Sequence, residues 1–502
     1  MADEAWDALM AHNDPVHPHV LVRGGDLTRL SRDEGRVTLK VYSQASLVDR
    51  MSQTAPFFAV SARGAIIDRK PPQDVAAILL DRTPDRYTGA PRVNRVVDVP
   101  VFGADGHLLT TPGYHAGSRT YYAPDPTMGA LSEIETDEWD VYAARAILEE
   151  AFGDFCYADD SGCTNALAFA ITPFVREMIP GPVPAMAALA HEVGTGKTLL
   201  AKMTMLPGCG SVPASAEPKD HEEWRKTLTA ALLEAPSVIW YDNLRHRLDA
   251  GPLAAVLTAE RFGDRVLGHS RRVESAVRNL WILTANNLDL STELARRSVP
   301  VFLDANVERP WERDKSAFRH PDLLDWGQRN RAQLVWACLV LCKSALEAWE
   351  EGWGYVPVLD RTLANYERWA EVVGHILAWH GYTGFLGNVA RLYDSADEEH
   401  QEVRAFIEAW HARTTEPLTA AGLLMEIGRL DAADLRDALP SDLQGLAPDK
   451  LRAKLPYFLR ANRGRVFGGL RLERLEDPGK RTAAAWVATR SSTPTAVQRE
   501  TA

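Results

Sequence analysis

A chain of 502 residues has room for about three domains at roughly 150 residues each, and so for more than one buried core. Its 56 Lys and Arg against 68 Asp and Glu leave a formal charge of −12, which excludes a uniformly basic nucleic-acid coat and confines any polyanion site to a local patch. A composition 46% apolar and 25% charged excludes a disordered chain and a membrane-embedded one.

The N-terminus, MADEAWDALMAHND, starts acidic and has no basic segment followed by an apolar stretch, so no signal peptide is expected. From His12 to about Met128, short β-branched or alternating segments (HVLVRGG, RVTLKVYS, VVDVPVFGADGHLLTTPGY, SRTYYAP) lie between Pro and Gly, which predicts a mainly β or mixed α+β domain over residues 1–135. Three histidines, His12, His17 and His19, sit in a Pro-punctuated loop that does not have the spacing of a metal site, and Arg23-Gly24-Gly25 is a single triplet, not a tract. Thr136 to Phe155 switches to an apolar period of three to four with acids in the first turn, a helix that opens a linker over 136–165. Between Asn165 and Pro310, apolar strand-length runs (AMAALA, PSVIWYD, LWILTAN, VPVFLD) alternate with helical stretches (TLLAKMTM, WRKTLTAALLEA, PLAAVLTAERF, STELARR). That alternation predicts an α/β core with a parallel sheet over 166–318.

A helical lid or connector over 319–412 follows, broken at GWGYVPV and GYTGFLGN. Its run LVWACLVLC is too short to span a bilayer, and Cys338 and Cys342 within it read as small buried hydrophobes. The five cysteines (156, 163, 209, 338 and 342) are odd in number, scattered and without a CxxC pair, which argues against disulfides or structural zinc and for a reducing cytoplasm. Residues 413–490 give short helices, then RVFGGLRLERL, the turn EDPGK and RTAAAWVATR, which is the order of a winged helix. The tail 491–502 is small and polar and is expected to fray.

The chemistry concentrates at HEVGTGKT, His191 to Thr198, placed after an apolar run and before a helical one, the context of a phosphate-binding loop. Glu192, Val193, Gly194, Thr195, Gly196, Lys197, Thr198 and Leu199 would wrap the phosphates of ATP, with Lys197 on the β and γ oxygens and Thr198 on Mg²⁺. His191 stands where the strict pattern has glycine. The metal also needs a carboxylate at the end of a neighbouring strand, and SVIWYDN supplies Asp242. Asn243 follows it where many such ATPases carry Glu. Either Asn243 orients the water as an amide, with Asp242 or a remote acid (Glu192, Glu234 or Glu260) taking the proton, or hydrolysis is slow. LWILTANN ends a third strand in Asn286 and Asn287, of which Asn286 is placed at the γ-phosphate or the lytic water. Arg296 and Arg297, closing STELARR, are positioned to complete a neighbouring subunit's site.

The ordered set HEVGTGKT, SVIWYDN, LWILTANN and ELARR resembles the AAA+ ATPase core, and more narrowly the superfamily 3 helicases of viruses, phages and mobile elements. VPVFGADGHLLTTPGY, FCYADDSGCTNALAFAITPFVREMIPGP and RRSVPVFLDANVERPW extend the likeness to the helicase part of poxvirus-type and phage primase-helicases. The resemblance implies a Mg²⁺- and ATP-dependent DNA helicase or translocase, assembled as a homohexameric ring. It also implies a pore hairpin between the acid strand and the Asn-ended strand, and in DRVLGHSRRVESAV the matching basics are Arg265, His269, Arg271 and Arg272. Apart from any family, Lys450 to Arg490 holds eleven basic residues against three acidic ones, Lys450, Lys454, Arg463 and Arg465 among them, which fits phosphate-backbone contact by a helix and wing. No paired-carboxylate constellation marks a primase in the first 130 residues, so priming would fall to a separate primase or polymerase. The competing reading is a non-helicase AAA+ ATPase, a DNA-bound regulator, loader or defence switch; a weaker third is an inactive nucleotide-binding scaffold.

Overall fold

In the computed structural model, residues 1–33, 35–245, 247–265, 272–286, 289–350, 363–396, 398–475 and 484–490 are described. The chain folds as two compact units, 1–393 and 394–502.

At the centre of the first unit is a four-stranded, wholly parallel sheet in the order acid strand (Val238–Leu244), asparagine strand (Leu280–Asn286), loop strand (Ala185–Ala190), outer strand (Ser298–Leu303). Every residue of Ala185–Ala190 is buried, which is why the run reads as continuously apolar: both faces of the sheet are covered. Helices Asp160–Val175, Lys197–Cys209 and His221–Glu234 flank the sheet. Asp160–Val175 is buried almost all round, as expected of a helix enclosed by its neighbours. The sheet ends at Asn286, Ala190 and Leu303 in register, so the glycine-rich loop that follows Ala190 and the asparagine leave it at the same edge.

The N-terminal segment is mixed, with the expected strands at Leu21–Arg23, Arg36–Val41, Arg95–Val97 and Thr120–Tyr122, and with helices Ala2–Ala11, Gln44–Thr54 and Gln73–Leu80 that sequence patterning did not single out. Helix Glu138–Phe152 starts on Asp137, whose side chain accepts from the Asp140 N–H. The N-terminal segment is joined to the core through arginines placed on helix C-termini, where carbonyls lack intrahelical partners and the dipole favours cations. Arg23 donates to Leu232 O (2.8 Å) and Leu233 O (3.1 Å) at the end of His221–Glu234, and burial lowers its guanidinium to about 10. Arg36 donates to Ser211 O (2.8 Å), just past Lys197–Cys209, and Arg95 to Pro173 O (3.0 Å) near the end of Asp160–Val175. Arg331, from the core side, donates to Leu206 O (2.9 Å) and pairs with Asp98 (2.9 Å) and Asp125 (2.6 Å). Residues 1–135 fall in the same compact unit as the parallel sheet, and within the segment Trp6, Val22, Leu47 and Leu79 belong to a hydrophobic cluster of its own.

Two further features bear on the segment 319–412. The helix around LVWACLVLC runs twenty residues, Arg331–Glu350, long and apolar enough by length and composition to cross a membrane, yet 67% of its apolar window is buried inside the fold. Cys338 and Cys342 are buried there. Helix Glu398–Arg413, assigned to the lid by sequence, contributes Val403, Phe406, Ile407 and Trp410 to the core of the second unit, which begins at residue 394 and not at 413.

The second unit combines that helix with Ala420–Ile427, Ala433–Asp437 and Pro448–Ala461 and an antiparallel sheet in the order Leu418–Thr419, Ala485–Arg490, Leu470–Leu475, Val466–Phe467. In Pro448–Ala461, Leu451, Leu455 and Leu459 recur every four residues and are buried, while Lys450, Lys454 and Tyr457 face out. Arg460 lies over the Tyr457 ring at 4.5 Å. Arg463 and Arg465 are exposed just beyond the helix, with Arg465 donating to Asn462 Oδ1 at 2.9 Å. The turn EDPGK lies outside the described residues.

Candidate functional site

The site forms where the loop strand hands over to helix Lys197–Cys209. Gly194 and Gly196 have φ of 78° and 104°, a conformation that glycine adopts without strain. A Cβ on Gly194 would also stand 2.8 Å from Trp311 Cβ, so glycine is required there twice over. Gly196 caps the helix without a side chain, leaving the first-turn N–H groups uncapped by the chain's own side chains. The loop is held from outside: Thr195 O accepts from Cys156 Sγ (3.4 Å) and Arg313 Nη2 (3.3 Å). Glu192 and Val193 are exposed, and Leu199 lines an adjoining cavity of about 220 Å³ together with Phe155, Trp311, Phe318, Arg313 and Lys315.

Lys197, only 8% exposed, donates to Asn286 Oδ1 (2.5 Å), Thr195 Oγ1 (3.2 Å) and Glu192 O (3.3 Å). Burial lowers its ammonium from the ordinary value, and Asp242 and Cys156 nearby work in the opposite direction. Thr198 Oγ1 donates to Asp242 Oδ1 at 3.1 Å. Sequence reasoning missed Thr284, 1% exposed, whose hydroxyl donates to the same Asp242 oxygen and accepts from the Asn243 N–H at 3.0 Å. The signal was present: Thr284 and Asn286 are two apart on one strand and therefore share a face. Asn243 has φ 57° and sits where the acid strand slips register against its neighbour, a left-handed position that suits Asn better than most residues.

The structure therefore brings Lys197, Thr198, Asp242, Asn243 and Asn286 together. Asn287 lies outside the described residues. Of the arginine pair, Arg297 is tied to its own helix, to Glu293 Oε1 (3.0 Å) and Glu293 O (2.6 Å). Arg296 is exposed on a cleft of about 530 Å³ with Tyr393 and Asn365, and among the described residues no carboxylate pairs with it. Strands Arg261–Arg265 and Arg272–Ala276 form an antiparallel ribbon whose last pair is Arg265 and Arg272; His269 and Arg271 lie outside the described residues. Of the remote acids, Glu234 lines a cavity of about 590 Å³ next to Cys209, at the far end of the helix that starts at Lys197. Glu260 is exposed and directly precedes the ribbon.

No family model and no curated protein matches the chain. Among solved structures, one described as "SCCmec type IV Cch - active helicase" aligns over 95% of this chain and 94% of that one, at 10% identity and a TM-score of 0.37. A likeness at that level carries no functional argument.

Proposed function

We propose that the chain is a Mg²⁺-dependent ATPase of the AAA+ superfamily 3 type that moves DNA as a ring-forming helicase or translocase. The observation that carries this reading is the meeting of Lys197 with Asn286, and of Thr198 with Asp242, at one edge of a parallel sheet. Lys197 and the uncapped first turn suit a polyphosphate, and the Thr198 hydroxyl beside the Asp242 carboxylate is the hard-oxygen pair that Mg²⁺ takes with nucleotide. When bound, the metal would screen charge on the β and γ oxygens. Phe155, Phe318 and Trp311, walling the cavity beside Leu199, offer flat apolar surface for a base. Arg296, exposed and without a carboxylate partner among the described residues, suits a neighbouring subunit's γ-phosphate better than Arg297, and a hexamer would supply that neighbour. We read the helices and antiparallel strands of the second unit as a winged helix. The outward Lys450, Lys454, Tyr457 and Arg460 supply cations and a stacking surface for a DNA backbone.

The test is ATP hydrolysis with and without single-stranded DNA, paired with strand displacement on a forked duplex. Wild-type chain is expected to hydrolyse ATP faster with DNA and to separate the fork, and Lys197→Ala to do neither. Hydrolysis unchanged in Lys197→Ala refutes the site, whereas DNA-stimulated hydrolysis without displacement replaces the helicase with a DNA-bound regulator or loader.

A further inference from the structure

The acid strand ends Asp242-Asn243, so the position beside the metal carboxylate offers an amide and no proton acceptor. The left-handed backbone at Asn243 gives a conformational reason for Asn there, which leaves Asp242 itself or a carboxylate from another element to take the proton from water.

The segment before helix His221–Glu234 runs along the open edge of the acid strand. Ser215 bridges to Tyr241 in parallel: its N–H donates to Trp240 O (2.8 Å), and its carbonyl accepts from the Asp242 N–H (3.1 Å). Glu217 follows two residues after this bridge, on the side towards the end of the acid strand. Its Oε2 accepts from the Arg245 N–H at 3.1 Å, which holds the carboxylate at the same end of the strand as Asp242. Glu217 is half-buried, and among the described residues no cation forms an ion pair with it. The other acids lack this placement. Glu234 belongs to the opposite end of the phosphate-loop helix, and Glu260 to the base of the ribbon. At Glu192, it is the backbone carbonyl that engages Lys197.

We propose that Glu217, delivered from the strand edge beside Asp242-Asn243, is the general base of this ATPase, with Asn243 orienting the water. This rests on the ATPase reading above. Glu217 takes the proton that the attacking water gives up as its oxygen bonds to the γ-phosphorus; the bond from that phosphorus to the bridging oxygen breaks, and ADP and phosphate leave. Two carboxylates, one on the acid strand and one on the irregular segment along its edge, would then divide the work: Asp242 holds the metal and Glu217 handles the proton.

The test compares wild type, Glu217→Gln, Glu217→Asp and Lys197→Ala for ATP turnover as a function of pH and for affinity towards a fluorescent ATP analogue. Glu217→Gln is expected to lower turnover about 10²–10⁴-fold and to bind the analogue within about threefold of wild type. It should also lose the acidic limb of the pH–rate profile, which Glu217→Asp should keep at reduced rate. Turnover of Glu217→Gln within a few-fold of wild type overturns the proposal, as does loss of analogue binding together with turnover, which would make Glu217 a structural brace for Arg245. If Lys197→Ala hydrolyses ATP as wild type does, the ATPase site itself is misplaced. If only Lys197→Ala is inactive, the site stands and Glu217 is not its base.

Discussion

Thr284→Val probes the site without using a nucleotide. Valine keeps the shape of threonine and its β-branched strand preference, so the perturbation is the hydroxyl alone. That hydroxyl donates to Asp242 Oδ1 and accepts from the Asn243 N–H, and it is shut off from solvent. A hydrogen bond to a charged group contributes about 1.5–3 kcal/mol, and a buried N–H left without a partner costs about 1–3 kcal/mol. Water can reach half-exposed Asp242 and recover part of the first, so the expected loss is about 2–4 kcal/mol. Urea unfolding followed by tryptophan fluorescence suits this measurement, because Trp240 and Trp281 are buried in the two strands concerned. With a slope of about 3 kcal/mol/M, the midpoint of the first unit falls by about 1 M, and Thr284→Ser recovers most of it. A Thr284→Val midpoint within about 0.2 M of wild type at unchanged slope would show that Asp242 is not oriented by this hydroxyl.

Two other predictions concern charge. Glu177 is buried between Arg95 (2.9 Å) and Arg278 (2.9 Å), with Arg176 close by; burial pushes its carboxyl up, but the three guanidiniums together hold it below the ordinary value. Glu177→Gln leaves buried arginines facing one another and is expected to cost about 3–5 kcal/mol in urea unfolding. In wild type, a depressed carboxyl contributes stability above its unfolded-state value and loses it as pH falls through the folded one, so the gap between the two proteins closes in acid; an equal gap at neutral and acid pH would refute the pairing. Arg296→Ala is expected to leave thermal unfolding unchanged and lower ATP turnover about 10³-fold, while adding a hydrolysis-dead Lys197→Ala chain that still carries Arg296 restores part of the rate. Equal effects of Arg296→Ala and Arg297→Ala on turnover would undo the distinction drawn between them.

The glycine-rich turn between strand and helix was legible because its geometry is local. Two glycines at positive φ, a run buried on both faces and a helix start all leave marks within fifteen residues. Asp242 and Asn286 were legible as polar ends of apolar strands. Thr284 was hidden by its position inside the run, and Glu217 by the irregular chain around it, since only the bridge from Ser215 to Tyr241 sets its register. Periodicity identified Glu398–Arg413 as a helix but cannot say which core its apolar face joins. The arginine contacts on helix ends were out of reach for the same reason: Arg23 and Leu232 are 209 residues apart in sequence.

Those contacts change what the N-terminal segment is for. A chain shortened to begin near residue 136 would strip Arg23, Arg36 and Arg95 from three helix ends and leave Arg331 without Asp98 and Asp125. The freed carbonyls would lie at the ends of helices Asp160–Val175, Lys197–Cys209 and His221–Glu234, and the unpaired buried guanidinium would be that of Arg331, against Leu206 O of Lys197–Cys209. Truncation at that point is therefore expected to yield a destabilised core and not an autonomous domain, and Lys197–Cys209, about 20 Å long, ties the loop at its first residue to the N-terminal segment at its last. Whatever shifts that helix at one end is resisted, or transmitted, at the other.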